Sequence, residues 1–95
     1  MGFTTISSTQ LAASGSVTTN SARVKSIYVA HSGTAGTVIL RDGGSTGTAR
    51  CTINTAATVG EYQTIIPEPG IHCKSSSGPY IAITGGVSFV TVFYD

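Results

Sequence analysis

Charge is scarce in this chain. Asp, Glu, Lys and Arg make up 9% of 95 residues, against roughly 25% in ordinary soluble proteins. Five basic and four acidic residues leave a formal net charge of +1. Such a balance offers no electrostatic attraction to a nucleic acid or an anionic membrane. Tryptophan is absent and only two cysteines occur, too few for a disulfide framework; with His31 and His72 they lack the spacing of a four-ligand zinc site. No apolar run approaches the roughly 20 residues a membrane helix needs. At the N-terminus Phe3 to Leu11 is interrupted by Thr, Ser and Gln with no basic start, so no secretory leader is expected. Ile6 stands where a myristoylation pattern wants Ser or Thr. No window carries helical periodicity of useful length.

What is present is apolar residue in short runs: 40% of the chain is hydrophobic and 12 residues are glycine. The runs read as strands. Val24–His31, Thr37–Arg41, Thr48–Ile53, Tyr62–Ile66, Ile71–Lys74, Tyr80–Thr84 and Val87–Tyr94 are separated by Gly-, Pro- and Ser-rich stretches every 8–12 residues or so. Asp42-Gly43-Gly44 reads as a hairpin turn, Pro69-Gly70 as the centre of a type II turn, and Gly85-Gly86 as a tight turn into the last strand. The expectation is an all-β fold: a compact antiparallel β-sandwich, jelly-roll-like or Greek-key, of about seven to nine short strands. Residues 22–95 would form the sandwich. Residues 1–21 carry no charge and read as an N-terminal arm or edge-strand segment, either a flexible tail or an arm laid on a neighbour.

Two of these strands lack a polar side. In Val87–Tyr94, Val87, Phe89 and Phe93 alternate with Val90, Val92 and Tyr94; in Val24–His31, Ile27 and Val29 alternate with Val24, Tyr28 and Ala30. A half-buried strand should alternate apolar with polar, so the second face is expected to meet another copy or another protein. A domain this small buries only about 60% of its unfolded surface, which favours oligomerisation. The interface residues expected on this reading are Phe3, Ile6, Leu11, Val24, Tyr28, Val90, Val92 and Tyr94.

No constellation suggests catalysis, a metal or a cofactor. His31 and His72 read as strand-edge surface residues; His72 points away from adjacent Cys73. Asp42 belongs to a turn, Asp95 is the last residue, and Glu61 and Glu68 flank one strand without forming a glycosidase pair. Cys51 and Cys73 alternate with Ala49, Ile53 and Ile71 and read as small core hydrophobes; the one disulfide they allow stays open. Exposed Tyr62 or Tyr80 beside polar loops would suit stacking on a sugar.

The succession Arg23-Val24-Lys25-Ser26-Ile27, Gly36-Thr37-Val38-Ile39-Leu40-Arg41-Asp42-Gly43-Gly44, Ile66-Pro67-Glu68-Pro69-Gly70-Ile71 and Val90-Thr91-Val92-Phe93-Tyr94 resembles small virion structural proteins of tailed bacteriophages, those of cyanophages and other marine phages most. The resemblance excludes residues 1–21. It implies a non-enzymatic particle component in the virion, assembled in the host cytoplasm. Capsid decoration or cement proteins of that kind are often trimeric and contact the major capsid protein. Neck, tail and fibre proteins, some with glycan- or receptor-binding modules, are the alternative it leaves open. It transfers no functional residue.

Overall fold

The computed structural model describes residues 6–95. They form seven strands and no helix: β1 (Ser7–Leu11), β2 (Gly15–Ser16), β3 (Ala22–Asp42), β4 (Thr48–Thr55), β5 (Gly60–Ile65), β6 (Ile71–Cys73) and β7 (Pro79–Tyr94). All belong to one antiparallel sheet.

Its spine is a pair of long strands. β3 runs 21 residues and β7 runs 16, and they pair from Val24–Tyr94 to Asp42–Pro79. The free side of β3 takes β6, then β5, then β4; that of β7 takes β1, then β2. Between His31 and Gly36 the pairing skips four residues of β3 against one of β7, Gly86. Ser32 to Ala35 stand exposed there. This corner divides the sheet into one half built on β1, β6 and β5 and another built on β2 and β4.

The break expected between Val24–His31 and Thr37–Arg41 and the expected turn at Gly85-Gly86 are therefore opposite sides of a single bend. Neither reverses the chain. Had Gly85-Gly86 closed a hairpin, its flanking strands would pair with each other; instead both pair with β3. The turn at 67–70 also differs from the type II reading. Gly70 N donates to Pro67 O at 2.8 Å, and Pro69 sits third, after a cis peptide, which is type VI geometry.

Side chains of both halves meet in one core: Val24, Ile27, Val29, Val90 and Val92 from the first, Val38, Leu40 and Ile81 from the second, joined by Val17, Ile66, Cys73 and Val87. A single sheet, bent at its middle, thus encloses the core. Burying each β-branched or Leu side chain contributes about 1.5–3 kcal/mol. The loops are tied by polar contacts. Asp42 accepts backbone N–H bonds from Lys74 (3.2 Å) and Ser75 (3.1 Å), so the β3–β4 loop is fastened to the β6–β7 loop.

Residues 6–21 run along the outer edge of β7. β1 pairs with Val90–Tyr94, Ser14 Oγ accepts from Ile83 N at 2.8 Å, β2 pairs with Tyr80 and Ile81, and Val17 N donates to Pro79 O at 2.9 Å.

Candidate interaction surface

Directly opposed residues in an antiparallel ladder point to the same side, so the register sorts the faces. In the first half the inner rows are Tyr94–Val24–Ile71, Thr9–Val92–Ile27–Thr64 and Leu11–Val90–Val29–Tyr62. The outer rows are Ser8–Phe93–Ser26–Ile65, Gln10–Thr91–Tyr28–Gln63 and Phe89–Ala30–Glu61.

Three bulges set this sorting. Lys25 is an extra residue in β3 between the Val24 and Ser26 pairs, and Ser88 is extra in β7 between the Val87 and Phe89 pairs. Arg50 is extra in β4. Each extra residue inverts the alternation beyond it. Val24 thereby joins Ile27 and Val29 inside, and Val87 joins Val90 and Val92.

The expected interface is corrected accordingly. Val24, Val90 and Val92 have no exposed surface and belong to the chain's own core. Leu11 and Tyr94 are half-buried and pack against that core. Tyr28 is half-buried on the outer side, stacked on Phe89 with centroids 6.2 Å apart and planes 26° apart. Ile6 is exposed at 49%. Phe3 lies outside the described residues. Phe93 and Ile65, which the sequence reading did not single out, occupy the outer row, and Ile65 is 77% exposed. The signal that separates the faces is the run of β-branched residues: Val24, Ile27 and Val29 match Val90 and Val92, leaving Tyr28, Phe89 and Phe93 outside.

The outer side of the other half differs. Its rows are Thr84–Thr37–Asn54, Ala82–Ile39–Thr52 and Tyr80–Arg41–Ala49, largely polar. Three aromatics, Phe93, Tyr28 and Phe89, lie on the outer face of the first half, against Tyr80 alone on that of the other.

At the end of that face lies an open cavity of about 480 Å³ lined by Ile6, Lys25, Ser26, Gln63, Glu68 and Phe93. The Lys25 ammonium bonds Glu68 Oε2 at 3.0 Å and Pro69 O at 3.2 Å. Gln63 Nε2 donates to Ser26 Oγ at 3.1 Å. The polar groups are thus mutually satisfied and the cavity's charge is balanced. At the far end, the proximity of the Glu61 carboxylate, with some desolvation, raises the Tyr28 phenol above its ordinary pKa.

The other candidates fall elsewhere. His31 is buried, contrary to the surface reading, because it follows Ile27 and Val29 on the inner side of β3, beneath Gly60 of β5; it meets Tyr62 edge-on at 5.6 Å. Its Nδ1 finds no partner. His72 is half-buried on β6. Both cysteines are free thiols, Cys73 fully buried and Cys51 half-buried. Tyr62 donates to Asn54 O at 3.0 Å, and Tyr80 is half-buried on the polar half. Among the described residues no group of His, Cys, Asp or Glu is placed to hold a metal ion. In comparisons with protein-family models, curated proteins and solved structures, nothing matched the chain.

Proposed function

We propose that this chain is a non-enzymatic structural module that works by association through the outer face of its first half, as a decoration subunit of a bacteriophage capsid. One observation carries the association: Phe93, Tyr28, Phe89, Ile65 and Ile6 line the side of the sheet that faces away from the core, while the matching side of the other half holds Ile39 and Tyr80 among Thr, Asn, Arg and Ala. Apolar patches rimmed by polar residues mark interaction sites. Low charge keeps the desolvation cost of such a contact small, and repetition by symmetry turns modest contacts into avidity. The particle setting rests on the sequence resemblance.

The test pairs two neighbouring substitutions. Phe93→Asp puts a charge on the outer row and should dissolve self-association in light scattering with the fold intact. Val92→Asp puts the same charge into the core, at a cost of several kcal/mol, and should abolish cooperative unfolding. A monodisperse wild-type monomer at micromolar concentration refutes association through a second copy. Binding to purified capsid shells then remains as the readout of contact with a major capsid protein.

A second reading is favoured by the cavity. An amide, a hydroxyl and a balanced ion pair beside Phe93 suit a neutral glycan, with the ring stacking on the sugar's apolar side, as in a neck, tail or fibre module. Selective binding on a glycan array, lost in Phe93→Ala and Gln63→Ala, establishes it in place of the decoration role.

A further inference from the structure

The strand edges are not guarded alike. Natural sheets protect exposed edges with charge, proline, bulges or brevity, because an unpaired row of N–H and C=O groups is a template for another strand. β4 carries a bulge at Arg50. β5 carries Glu61 and runs out at Pro67. β6 has three residues, and Arg50 reaches across to His72 O. β1 has none of these devices. Its sequence Ser-Ser-Thr-Gln-Leu has no charge and no proline, and it pairs with β7 through five consecutive positions without a bulge. Among the described residues no strand pairs with its outer edge.

We infer that this edge pairs with the same edge of a second copy, antiparallel, about a two-fold axis through Thr9. The inference rests on the reading that the chain self-associates, and places that contact on the edge beside the outer face instead of on the face itself. A surface that meets itself is isologous and generates a two-fold axis. If the axis stands perpendicular to the sheet, residues of like phase face each other: Ser7 opposite the partner subunit's Leu11, Ser8 opposite the partner subunit's Gln10, Thr9 opposite itself. This register uses all five residues; any other in-phase register shortens the overlap. It also keeps the outer faces of both copies on one side. Phe93 lies beside Ser8 in its row, so the aromatic face of one copy continues into that of the next across Ser8 and Gln10.

Positions 8 and 10 provide the test, because both are exposed and face each other only across the axis. Ser8→Lys with Gln10→Lys sets like charges opposite each other at both symmetric pairs and should weaken self-association about tenfold or more. Ser8→Glu with Gln10→Lys sets opposite charges at the same pairs and should restore it. Sedimentation equilibrium reads both, and far-UV circular dichroism checks the fold. Equal loss in the two variants overturns the pairing. An oligomer indifferent to both variants but broken by Phe93→Asp also overturns it, and leaves association through the face standing. A trimeric mass, which the phage resemblance implies, does the same, since two-fold pairing gives a dimer. If the Lys variant fails to fold, hydrogen exchange on the unmodified chain decides. Protection in Ser7–Leu11 should rise with protein concentration; protection independent of concentration overturns the inference.

Discussion

Cys73 shows what one residue's surroundings dictate. It lies opposite Ala22 on β6 with no exposed surface. Burial, with the Asp42 carboxylate adding to it, pushes its thiol up to about 11. The thiolate is the reactive form, so alkylation of the native protein at pH 8 should label half-buried Cys51 first and Cys73 only at the rate of opening. Unfolding without reductant should expose both thiols. Intact mass after timed alkylation checks this, and a mass lower by two hydrogens refutes it. The folded pKa lies above the unfolded value, so the native state holds this proton more tightly. The resulting stability is complete below about pH 9 and is lost as pH rises through about 11. Cys73→Ala should flatten that alkaline decline in denaturant titrations. The core role of Cys73 was legible in the sequence because it alternates with Ile71 on an unbulged strand. The burial of His31 was not, because the sequence reading ended the strand there, whereas β3 runs on to Asp42 and His31 keeps the inner phase of Ile27 and Val29.

The element that organises the molecule is the bend shared by β3 and β7. Gly85 adopts φ 72, and a Cβ on Gly86 would run into the backbone carbonyl of Thr34. Backbone cannot yield as the tip of a side chain can, so Gly86→Ala should destabilise the fold by about 1–3 kcal/mol. For a chain of this size that lowers the melting temperature by about 4–8 °C per kcal/mol, measurable by calorimetry. An unchanged melting temperature would show that Ser32–Ala35 adapts freely and does not hold the corner. Glycines announced this bend in the sequence, but local turn chemistry gives the place of a bend and not what its flanks pair with. The strand runs from Val24 onward were legible, though β3 and β7 each join two of them, as was the turn at Asp42-Gly43-Gly44; β1 was not. The faces were misassigned wherever an extra residue intervened: Lys25 hid the kinship of Val24 with Ile27, and Ser88 that of Val87 with Val90. Bulges leave no composition of their own, so the apolar second side was visible in the sequence but its membership was not.

For the whole molecule, the decisive question is what residues 1–21 do. The sequence left a flexible tail and an arm on a neighbour, because their charge-free Ser and Thr carry no local sign of a partner. Their described part lies along β7 of the same chain, at positions more than 60 residues away. A contact that remote in sequence is fixed by edge pairing rather than by propensity. It pairs the edge of β7 at Val90–Tyr94 and from Ile81 to Pro79, and sends Val17 into the core and Leu11 against it. Deleting residues 1–21 therefore strips two apolar side chains, about 1.5–3 kcal/mol each when fully buried, and bares the outer edge of β7 at Val90–Tyr94 and at Tyr80 and Ile81. Small domains hold only about 5–15 kcal/mol in total. The truncated chain should lose its cooperative transition and aggregate through the bare edge. A truncated chain that unfolds cooperatively at the wild-type temperature would mean that the segment contributes nothing in cis. In that case its natural place is on the β7 of a neighbour, where adding a peptide of residues 1–21 to the truncated chain should raise the transition in proportion to its occupancy. If the peptide instead rescues an otherwise unfolded chain, the segment is part of this fold, and its outer edge is what remains for a partner.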